Sequence, residues 1–295
     1  MKKIALLGPK DWALGSINFF LKKHLSDKYD VCLLDWSYSA QVKFALGGSF
    51  DIVISEASIV NVEDIGHKVS SKTTIMPVFH HDPVKLNGTH FDENHEKNIG
   101  KHKLYAITNK ISKSVFDRYG FSSEVLPIGV DDSFWGKRKI DSIKNIGICY
   151  RPSVALSPQY ESVKRFWMFD EIRKKTKLNA SVIWGKDFLV GSDIYKDCDL
   201  VICTSVEEGL PTPFLECSAS KIPYISTDVG IVSDFEEVIK FETVDEACSI
   251  IDMFVSNPDF ISVYADSVHR SVVGSLNWSK VVDEFWIPAI ENALQ

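Results

Sequence analysis

Short apolar segments rich in β-branched residues alternate with helix-like segments along this chain. The first, Lys3-Ile4-Ala5-Leu6-Leu7-Gly8, is followed by a loop containing Gly and Pro and then by a helical pattern over about 16–25. Further strand candidates lie at 31–34, 51–55, 74–79, 104–108 and 123–126. Strands that alternate with helices indicate a mostly parallel sheet with helices on both faces. The predicted fold class is therefore α/β, with doubly wound, Rossmann-like domains.

A charged, Gly-led stretch, Gly136-Lys137-Arg138-Lys139-Ile140-Asp141, interrupts this alternation and predicts a linker over 136–144. A second series follows, with a helical segment at 159–174 and strands at 145–149, 180–184, 199–203 and near 224–226. A chain of 295 residues can form two domains that each bury a core. The predicted domains are 1–135 and 145–275, two Rossmann-like halves that face a central cleft.

The closing segment, 276–295, is predicted to be helical from residue 278 to residue 294. Its apolar residues Val281, Val282, Phe285 and Ile290 are expected to face a core, and Pro288 is expected to bend or restart the helix.

Two carboxylates with seven residues between them, Glu208 and Glu216, follow the strand at 199–203. Glu208 is expected on the loop beyond the strand's carboxyl end, where open α/β sheets bind ligands. Pro213 suits a first helical turn, Thr212 is the predicted N-cap, and Glu216 lies about one turn inside. A helix N-terminus favours phosphate, and a carboxylate accepts hydrogen bonds from sugar hydroxyls. The alternative is that both are solvated charges at a loop and a helix start.

Two other strand ends carry polar side chains that could contribute to a site. His80, His81 and Asp82 follow the strand at 74–79, where an imidazole could donate to a substrate hydroxyl or phosphate oxygen. An ordinary hydrogen-bonded histidine is the alternative. Arg151 follows the strand at 145–149, and a guanidinium there can hold a diphosphate with two hydrogen bonds.

Three segments together resemble the family 4 retaining glycosyltransferases, which have the GT-B fold. The donor-site match consists of Ser205-x-x-Glu208-Gly209, Glu216, Ala219, Pro223 and Ser226-x-Asp228-Val229-Gly230. The other two are Pro127-x-Gly129-Val130-Asp131-x-x-Phe134, which closes the family's N-terminal domain, and Asn277-Trp278-Ser279 before the last helix. The resemblance implies that 1–135 is the acceptor-side domain, that 145–275 binds the donor, and that 276–295 returns to the first domain.

The resemblance also implies roles for individual residues. Glu208 would contact the transferred sugar and Glu216 the nucleotide ribose, while His81 would face the donor sugar and acceptor, and Arg151 the diphosphate. The remaining predicted donor-binding residues are Gly209, Leu210, Thr212, Gly15 and Lys164. The implied activity is a metal-independent, hexosyltransferase-like transfer from a nucleoside-diphosphate-sugar to a hydroxyl of a glycan or glycolipid. The leaving phosphate would take the acceptor proton, and the nucleotide-sugar is a substrate, so no cofactor is expected.

Several positions depart from the family pattern. Ser157 stands where the family has a lysine six residues after the arginine, and Lys164 or Arg165 is the candidate replacement. Pro211 stands where a second glycine is usual, and only Gly15 remains of the glycine pair before the first helix. These departures leave two alternatives open, which are a non-catalytic GT-B subunit that binds a nucleotide or glycan, and a sugar-nucleotide epimerase.

The charge pattern argues against a nucleic-acid partner. The net charge of −7 is carried entirely after residue 135, because the first 135 residues contain 16 basic and 16 acidic residues and the remainder contains 17 and 24. A small basic cluster, Lys97, Lys101 and Lys103, is a candidate for contact with an anionic membrane or acceptor, and a solvated loop is the alternative. The scattered cysteines are expected to be reduced, and with neither a signal peptide nor a membrane span recognised, a cytoplasmic location is expected.

Overall fold

A computed structural model describes most of the chain. The described residues are 1–9, 12–35, 37–47, 50–55, 74–78, 103–106, 123–150, 158–184 and 188–295. They form two compact units, of which the first contains Met1–Gly129 and Trp278–Gln295 and the second contains Val130–Asn277. The 136–144 segment predicted as a linker lies inside the second unit.

The first unit contains a six-stranded parallel sheet in the order β2-β1-β3-β4-β5-β6. The strands are β1 Lys3–Gly8, β2 Asp30–Asp35, β3 Ile52–Ser55, β4 Thr74–Val78, β5 Lys103–Ala106 and β6 Ser123–Val125, and the helices are α1 Trp12–Leu25 and α2 Ser39–Gly47. In β1, Ile4 through Leu7 are almost completely buried. A continuous apolar run, without alternation, is what a strand covered on both faces requires.

The second unit has a four-stranded parallel sheet in the order β10-β9-β7-β8. Its strands are β7 Asn145–Cys149, β8 Asn179–Ile183, β9 Leu200–Cys203 and β10 Tyr224–Ser226. Its helices are α3 Asp132–Trp135, α4 Pro158–Lys164, α5 Phe166–Thr176, α6 Thr212–Ser220, α7 Val244–Ser256 and α8 Pro258–Leu276, with short 3-10 segments at Phe188–Tyr195 and Gly230–Asp234. Gly147 lets β7 pack tightly, since a Cβ there would lie 2.4 Å from Cys198 Sγ.

The helical pattern at 159–174 is two helices and not the single one predicted. Arg165 separates α4 from α5 and has φ of 48°, in the left-handed region, so the backbone turns between them. Helices α7 and α8 were not predicted from the sequence. Both carry local start signals, because Thr243 and Glu246 form a capping box before α7 and Pro258 opens α8.

The last segment of the chain belongs to the first unit. It consists of α9 Trp278–Val281, a π-helical turn Val282–Trp286 and α10 Ile287–Leu294. Trp278 packs against Gly129, where a Cβ would lie 2.5 Å from the indole, and Trp286 Nε1 donates to Pro127 O at 2.9 Å. The prediction that Phe285 faces a core is wrong, because this residue is 36% exposed while Trp286 is buried. The wider π turn shifts the buried face by one residue from that of a regular helix.

In the part of the chain that the structure describes, no helix combines the length and apolarity needed to span a bilayer.

Candidate functional site

A cavity of about 170 Å³ lies within the second unit at the carboxyl ends of β7 and β9. This is the edge at which open parallel sheets bind ligands. The described lining residues come from β7, the end of α4, β9 and its following loop, the start of α6, and β10: Ile148, Cys149, Tyr150, Lys164, Val201, Ile202, Cys203, Thr204, Ser205, Glu208, Leu210, Pro211, Thr212, Pro213 and Tyr224.

Strand β9 leads into the loop that carries Glu208. This strand lies between β7 and β10 in the sheet, with Leu200, Val201 and Ile202 buried, and the chain leaves the sheet at Thr204 and Ser205. Both residues are buried, and the Thr227 hydroxyl after β10 donates to Ser205 O. The backbone N–H of Thr227 also donates to Cys203 O at 3.1 Å. These bonds fix the start of the loop that carries Glu208.

Glu208 lies in the cavity, on the loop after a strand as the sequence predicts, and its carboxylate has two protein partners. Ser205 Oγ donates to Glu208 Oε1 at 2.7 Å, and Lys164 Nζ forms an ion pair with the same oxygen. The two charged side chains are 16% and 22% exposed. The structure therefore brings together two predicted site residues, Glu208 and Lys164, that are 44 positions apart.

The break between α4 and α5 sets the position of Lys164. Arg165 donates from Nε to Thr204 O at 2.6 Å and from Nη2 to Ser205 O at 3.3 Å. The Thr204 hydroxyl donates in return to Lys164 O at 2.8 Å and lies 3.1 Å from Arg165 O. Burial lowers the pKa of Arg165 below its ordinary value. Lys164 and Arg165 are the two candidates to replace the lysine that the family has at the position of Ser157. Arg165 bonds to the loop backbone, and Lys164 lines the cavity.

Gly230 packs directly against the backbone of the loop that carries Glu208. Its φ of 51° lies in the left-handed region that favours glycine, and a Cβ there would lie 2.4 Å from Gly209 O and 2.6 Å from Glu208 O. The next N–H, of Ile231, donates to Gly209 O at 3.2 Å. The glycine in the Asp228-Val229-Gly230 motif is thus required by the close approach of two backbone segments.

The start of α6 differs from the prediction. Pro211 is the N-cap residue, with φ of −70° and ψ of 91°, and Thr212 is the first helical residue. The prediction of Thr212 as N-cap is therefore wrong. Its hydroxyl bonds to the Glu216 carboxylate one turn later and caps no N–H. Two prolines supply no N–H, and the N–H of Phe214 donates to Pro211 O at 2.8 Å, so few donors remain at this helix start.

Glu216 is held by a buried tyrosine. The Tyr195 hydroxyl donates to Glu216 Oε2, and Tyr195 is 1% exposed. Burial raises the pKa of Glu216 to about 7, although the hydrogen bonds from Tyr195 and Thr212 oppose this shift. Glu216 is not among the described residues that line the cavity. Sequence reasoning missed Tyr195, because it lies on a 3-10 segment 21 residues earlier and no local spacing connects it to Glu216.

The charge of this carboxylate acts on two cysteine thiols. Cys149 and Cys217 are both affected by the charge of Glu216, and burial raises their pKa values well above the ordinary value. All six cysteines of the chain are free. These two therefore remain protonated and act as small apolar side chains around Glu216.

The other predicted site residues have different outcomes. Leu210 lines the cavity, and Gly209 lies in the supported loop. Gly15 is buried inside α1 and not in the loop before it, because this helix starts at Trp12. His81 and Arg151 lie outside the described residues. Among the residues that the structure does describe, His, Cys, Asp and Glu form no group of three or more that could hold a metal ion.

Comparison with known proteins gives one sequence match of limited extent. No protein-family model matches the chain. A stretch of 159 residues is 26% identical to a protein of Bacillus subtilis (strain 168) named "Putative teichuronic acid biosynthesis glycosyltransferase TuaC". The match covers 44% of this chain and 39% of TuaC, so well under half of that protein's length is matched.

Solved structures match over nearly the whole chain. Anabaena Alr3699/HepE, determined in complex with UDP and glucose, has a TM-score of 0.70 at 12% identity, with 99% of this chain and 100% of that chain covered. Sucrose-phosphate synthase from Thermosynechococcus elongatus has a TM-score of 0.71 at 8% identity, with 100% and 99% covered. At such low identity these matches show the fold alone. The fold is GT-B with two Rossmann-like domains, and the predicted fold class is confirmed.

Proposed function

We propose that this chain is a retaining glycosyltransferase of the family 4 type. It would transfer a sugar from a UDP-sugar to a hydroxyl of a glycan or glycolipid. The observation that carries the proposal is the cavity at the carboxyl ends of β7 and β9, in which a carboxylate, Glu208, and an ammonium group, Lys164, are in contact. A donor needs both groups, since sugar hydroxyls donate to carboxylates and a diphosphate requires positive charge.

The comparisons support the choice of UDP as the nucleotide. HepE was determined with UDP and glucose and, separately, with UDP-glucose. The cavity of about 170 Å³ is smaller than the roughly 300 Å³ at the low end of small-molecule sites. We therefore assign it to the sugar and diphosphate, with the base held beyond it.

In the proposed reaction the bond between the anomeric carbon and the diphosphate oxygen breaks. The acceptor oxygen bonds to the anomeric carbon on the same face, and the acceptor proton passes to the leaving diphosphate. Positive charge near that oxygen stabilises the charge that develops there, and we assign this role to Lys164, which lines the cavity together with Thr212. Glu208 orients the sugar through its hydroxyls, and no protein base is required.

Other roles remain predictions. Glu216 is proposed to bind the ribose, Arg151 to bind the diphosphate, and His81 and Gly15 to contribute from the first domain. Metal independence, a cytoplasmic location and peripheral membrane contact are likewise proposed.

A second function, a non-catalytic nucleotide-binding subunit, is favoured by one specific feature. Pro211 and Pro213 remove N–H donors at the start of α6, where a transferase would stabilise its leaving group. Such a subunit would bind UDP at the same cavity and release nothing.

The test is to incubate the protein with a panel of UDP-sugars and glycan or glycolipid acceptors and to follow released UDP. We expect acceptor-dependent release, and we expect Glu208→Gln to lower kcat by about 100-fold, the size typical for loss of one oriented polar group in a transition state. The neighbouring Glu207→Gln, which removes the same charge outside the cavity lining, is the matched control.

Three other results would contradict the transferase function. UDP binding without release from any donor supports the subunit, and isomerisation of the sugar without release supports an epimerase. Absence of measurable binding by every nucleotide-sugar in the panel would exclude all three functions.

A further inference from the structure

The charged groups that line the cavity form a single opposed pair. Among the described lining residues, Lys164 is the only cation and Glu208 the only anion. Their contact neutralises both charges, and this matters because each side chain is largely withdrawn from water. In this arrangement the ammonium is held by the same carboxylate that a donor sugar would need.

Other donors for a diphosphate are scarce among the described residues at the cavity. Pro211 and Pro213 have no N–H, and the N–H of Phe214 already donates to Pro211 O. The guanidinium of Arg165 is engaged by the carbonyl groups of Thr204 and Ser205. Among the described lining residues, the ammonium group of Lys164 is therefore the one charged donor that a diphosphate in this cavity would meet.

The backbone and side chain of Lys164 differ in freedom. Its carbonyl accepts from the Thr204 hydroxyl at 2.8 Å, and the N–H of Val206 donates to Val163 O at 2.8 Å, so the end of α4 is fastened to the loop before Glu208. A lysine carries its charge on a flexible four-carbon stem with three donors. The ammonium can therefore change partners while the backbone stays in place.

We propose that Lys164 exchanges partners when the donor binds. Its ammonium leaves Glu208 and pairs with the diphosphate, and the freed carboxylate accepts hydrogen bonds from the hydroxyls of the transferred sugar. A diphosphate attracts the ammonium more strongly than a single carboxylate does, because it carries more negative charge. Glu208 keeps its bond from Ser205 Oγ throughout, so the carboxylate stays oriented. The exchange makes the sugar-binding group available only when a diphosphate is present. This inference rests on the proposed donor site.

The test is a double-mutant cycle on UDP affinity, measured by calorimetry with the full-length protein. Glu208→Gln should bind UDP about fivefold more tightly than the wild type, because Lys164 no longer gives up an ion pair. Lys164→Met, which keeps the apolar stem, should bind about tenfold more weakly. In the Lys164→Met background, Glu208→Gln should gain less than twofold. Lys164→Arg should retain most of the affinity.

Two controls separate this exchange from general charge effects. Lys174→Met removes an exposed lysine that pairs with Asp170 and Glu171 on α5, and it should leave UDP affinity unchanged. Uridine, which has no diphosphate, should bind the wild type and Glu208→Gln equally.

The alternative explanation is simple repulsion between Glu208 and the diphosphate. It makes the opposite prediction, because without Lys164 the repulsion is unscreened and Glu208→Gln would gain more in the Lys164→Met background than in the wild type. That result, or no gain from Glu208→Gln in the wild type, overturns the exchange and leaves the proposed function standing. If the folded wild type binds no UDP at all, the donor site itself is rejected.

Discussion

Single residues in the second unit carry strong constraints, and Gly230 is the clearest. It combines a left-handed φ of 51° with direct contact to the backbone oxygens of Glu208 and Gly209. Gly136 has a similar φ of 69°, yet a Cβ there would meet only Ser192 Oγ at 3.6 Å, an ordinary contact. Comparing substitutions at the two glycines therefore separates two losses of stability, the one caused by a positive φ and the one caused by displacing the loop that carries Glu208.

We expect Gly136→Ala to cost about 2 kcal/mol of stability through backbone strain alone, because its φ of 69° and ψ of 146° lie in a region that is nearly restricted to glycine. Gly230→Ala should cost about 2 kcal/mol more, because its Cβ must displace the loop backbone. It should also weaken UDP binding about tenfold, whereas Gly136→Ala should not. Urea unfolding and calorimetry measure the two effects. Equal losses of stability in both variants would show that contact with the loop is unimportant.

The raised pKa of Glu216 leads us to expect that the stability of the protein depends on pH. A carboxyl group whose folded pKa is about 7, above the ordinary 4.5, holds its proton more tightly in the folded state. Ionisation therefore costs the folded protein stability, which is lost progressively as pH rises from about 4.5 to 7 and levels off above that range. The size is about 3 kcal/mol, from about 1.4 kcal/mol per pKa unit.

Glu216→Gln keeps an acceptor for the Tyr195 hydroxyl and removes the titration. The free energy of unfolding of this variant, relative to the wild type, should rise by about 3 kcal/mol between pH 5 and pH 8. Urea unfolding at several pH values measures this difference, with Glu171→Gln as an exposed control on α5. Parallel pH profiles for wild type and Glu216→Gln would show that this carboxyl group titrates normally.

At the scale of elements, the junction of α4 and α5 controls the geometry of the site. The left-handed Arg165 turns the chain, and the Thr204 hydroxyl donates to Lys164 O just before the turn. Thr176 offers a matched comparison, since its hydroxyl donates to Ile172 O at 2.9 Å within its own helix.

Thr204→Val should lose about 1 kcal/mol of stability, because it removes the hydroxyl that donates to Lys164 O. It should also weaken UDP binding, since the position of Lys164 depends on this contact. Thr176→Val should lose less stability, and its UDP affinity should not change. Thermal unfolding measures the stability of both variants, and calorimetry measures their UDP affinity. An unchanged UDP affinity in Thr204→Val would show that the junction does not control the site.

The sequence predicts elements where the signal is local. Glu208 could be located because an apolar run predicts β9 and a Gly/Pro-rich turn follows it. The pairing of Lys164 with Glu208 could not, because it depends on a left-handed arginine inside an uninterrupted helical pattern. The π turn at Val282–Trp286 could not be predicted from the spacing of apolar residues either, and it changes which aromatic residue is buried. Contacts between distant segments decide these cases.

At the scale of the whole molecule, the candidate site described here is built within one unit. The cavity residues come from β7, α4, β9, β10 and the start of α6, all inside Val130–Asn277. Ligand binding should therefore protect a limited part of the chain.

We expect UDP at 100 times its Kd to stabilise the protein by about 2.7 kcal/mol. Hydrogen exchange followed by mass spectrometry should show slower exchange in residues 204–216, with β1 in the first unit as the internal reference. Uniform slowing across both units, or no slowing in 204–216, would contradict the location of the site.

The return of the C-terminal segment to the first unit has a consequence for biosynthesis. Trp278 packs on Gly129 and Trp286 bonds to Pro127, so the first unit lacks part of its core until residues 278–295 have been made. The second unit is continuous from Val130 to Asn277 and contains all its own strands before that point. Domains usually fold in the order in which they leave the ribosome. In this chain the unit that emerges first is completed after the second one, and part of its core surface stays exposed until residues 278–295 have been made.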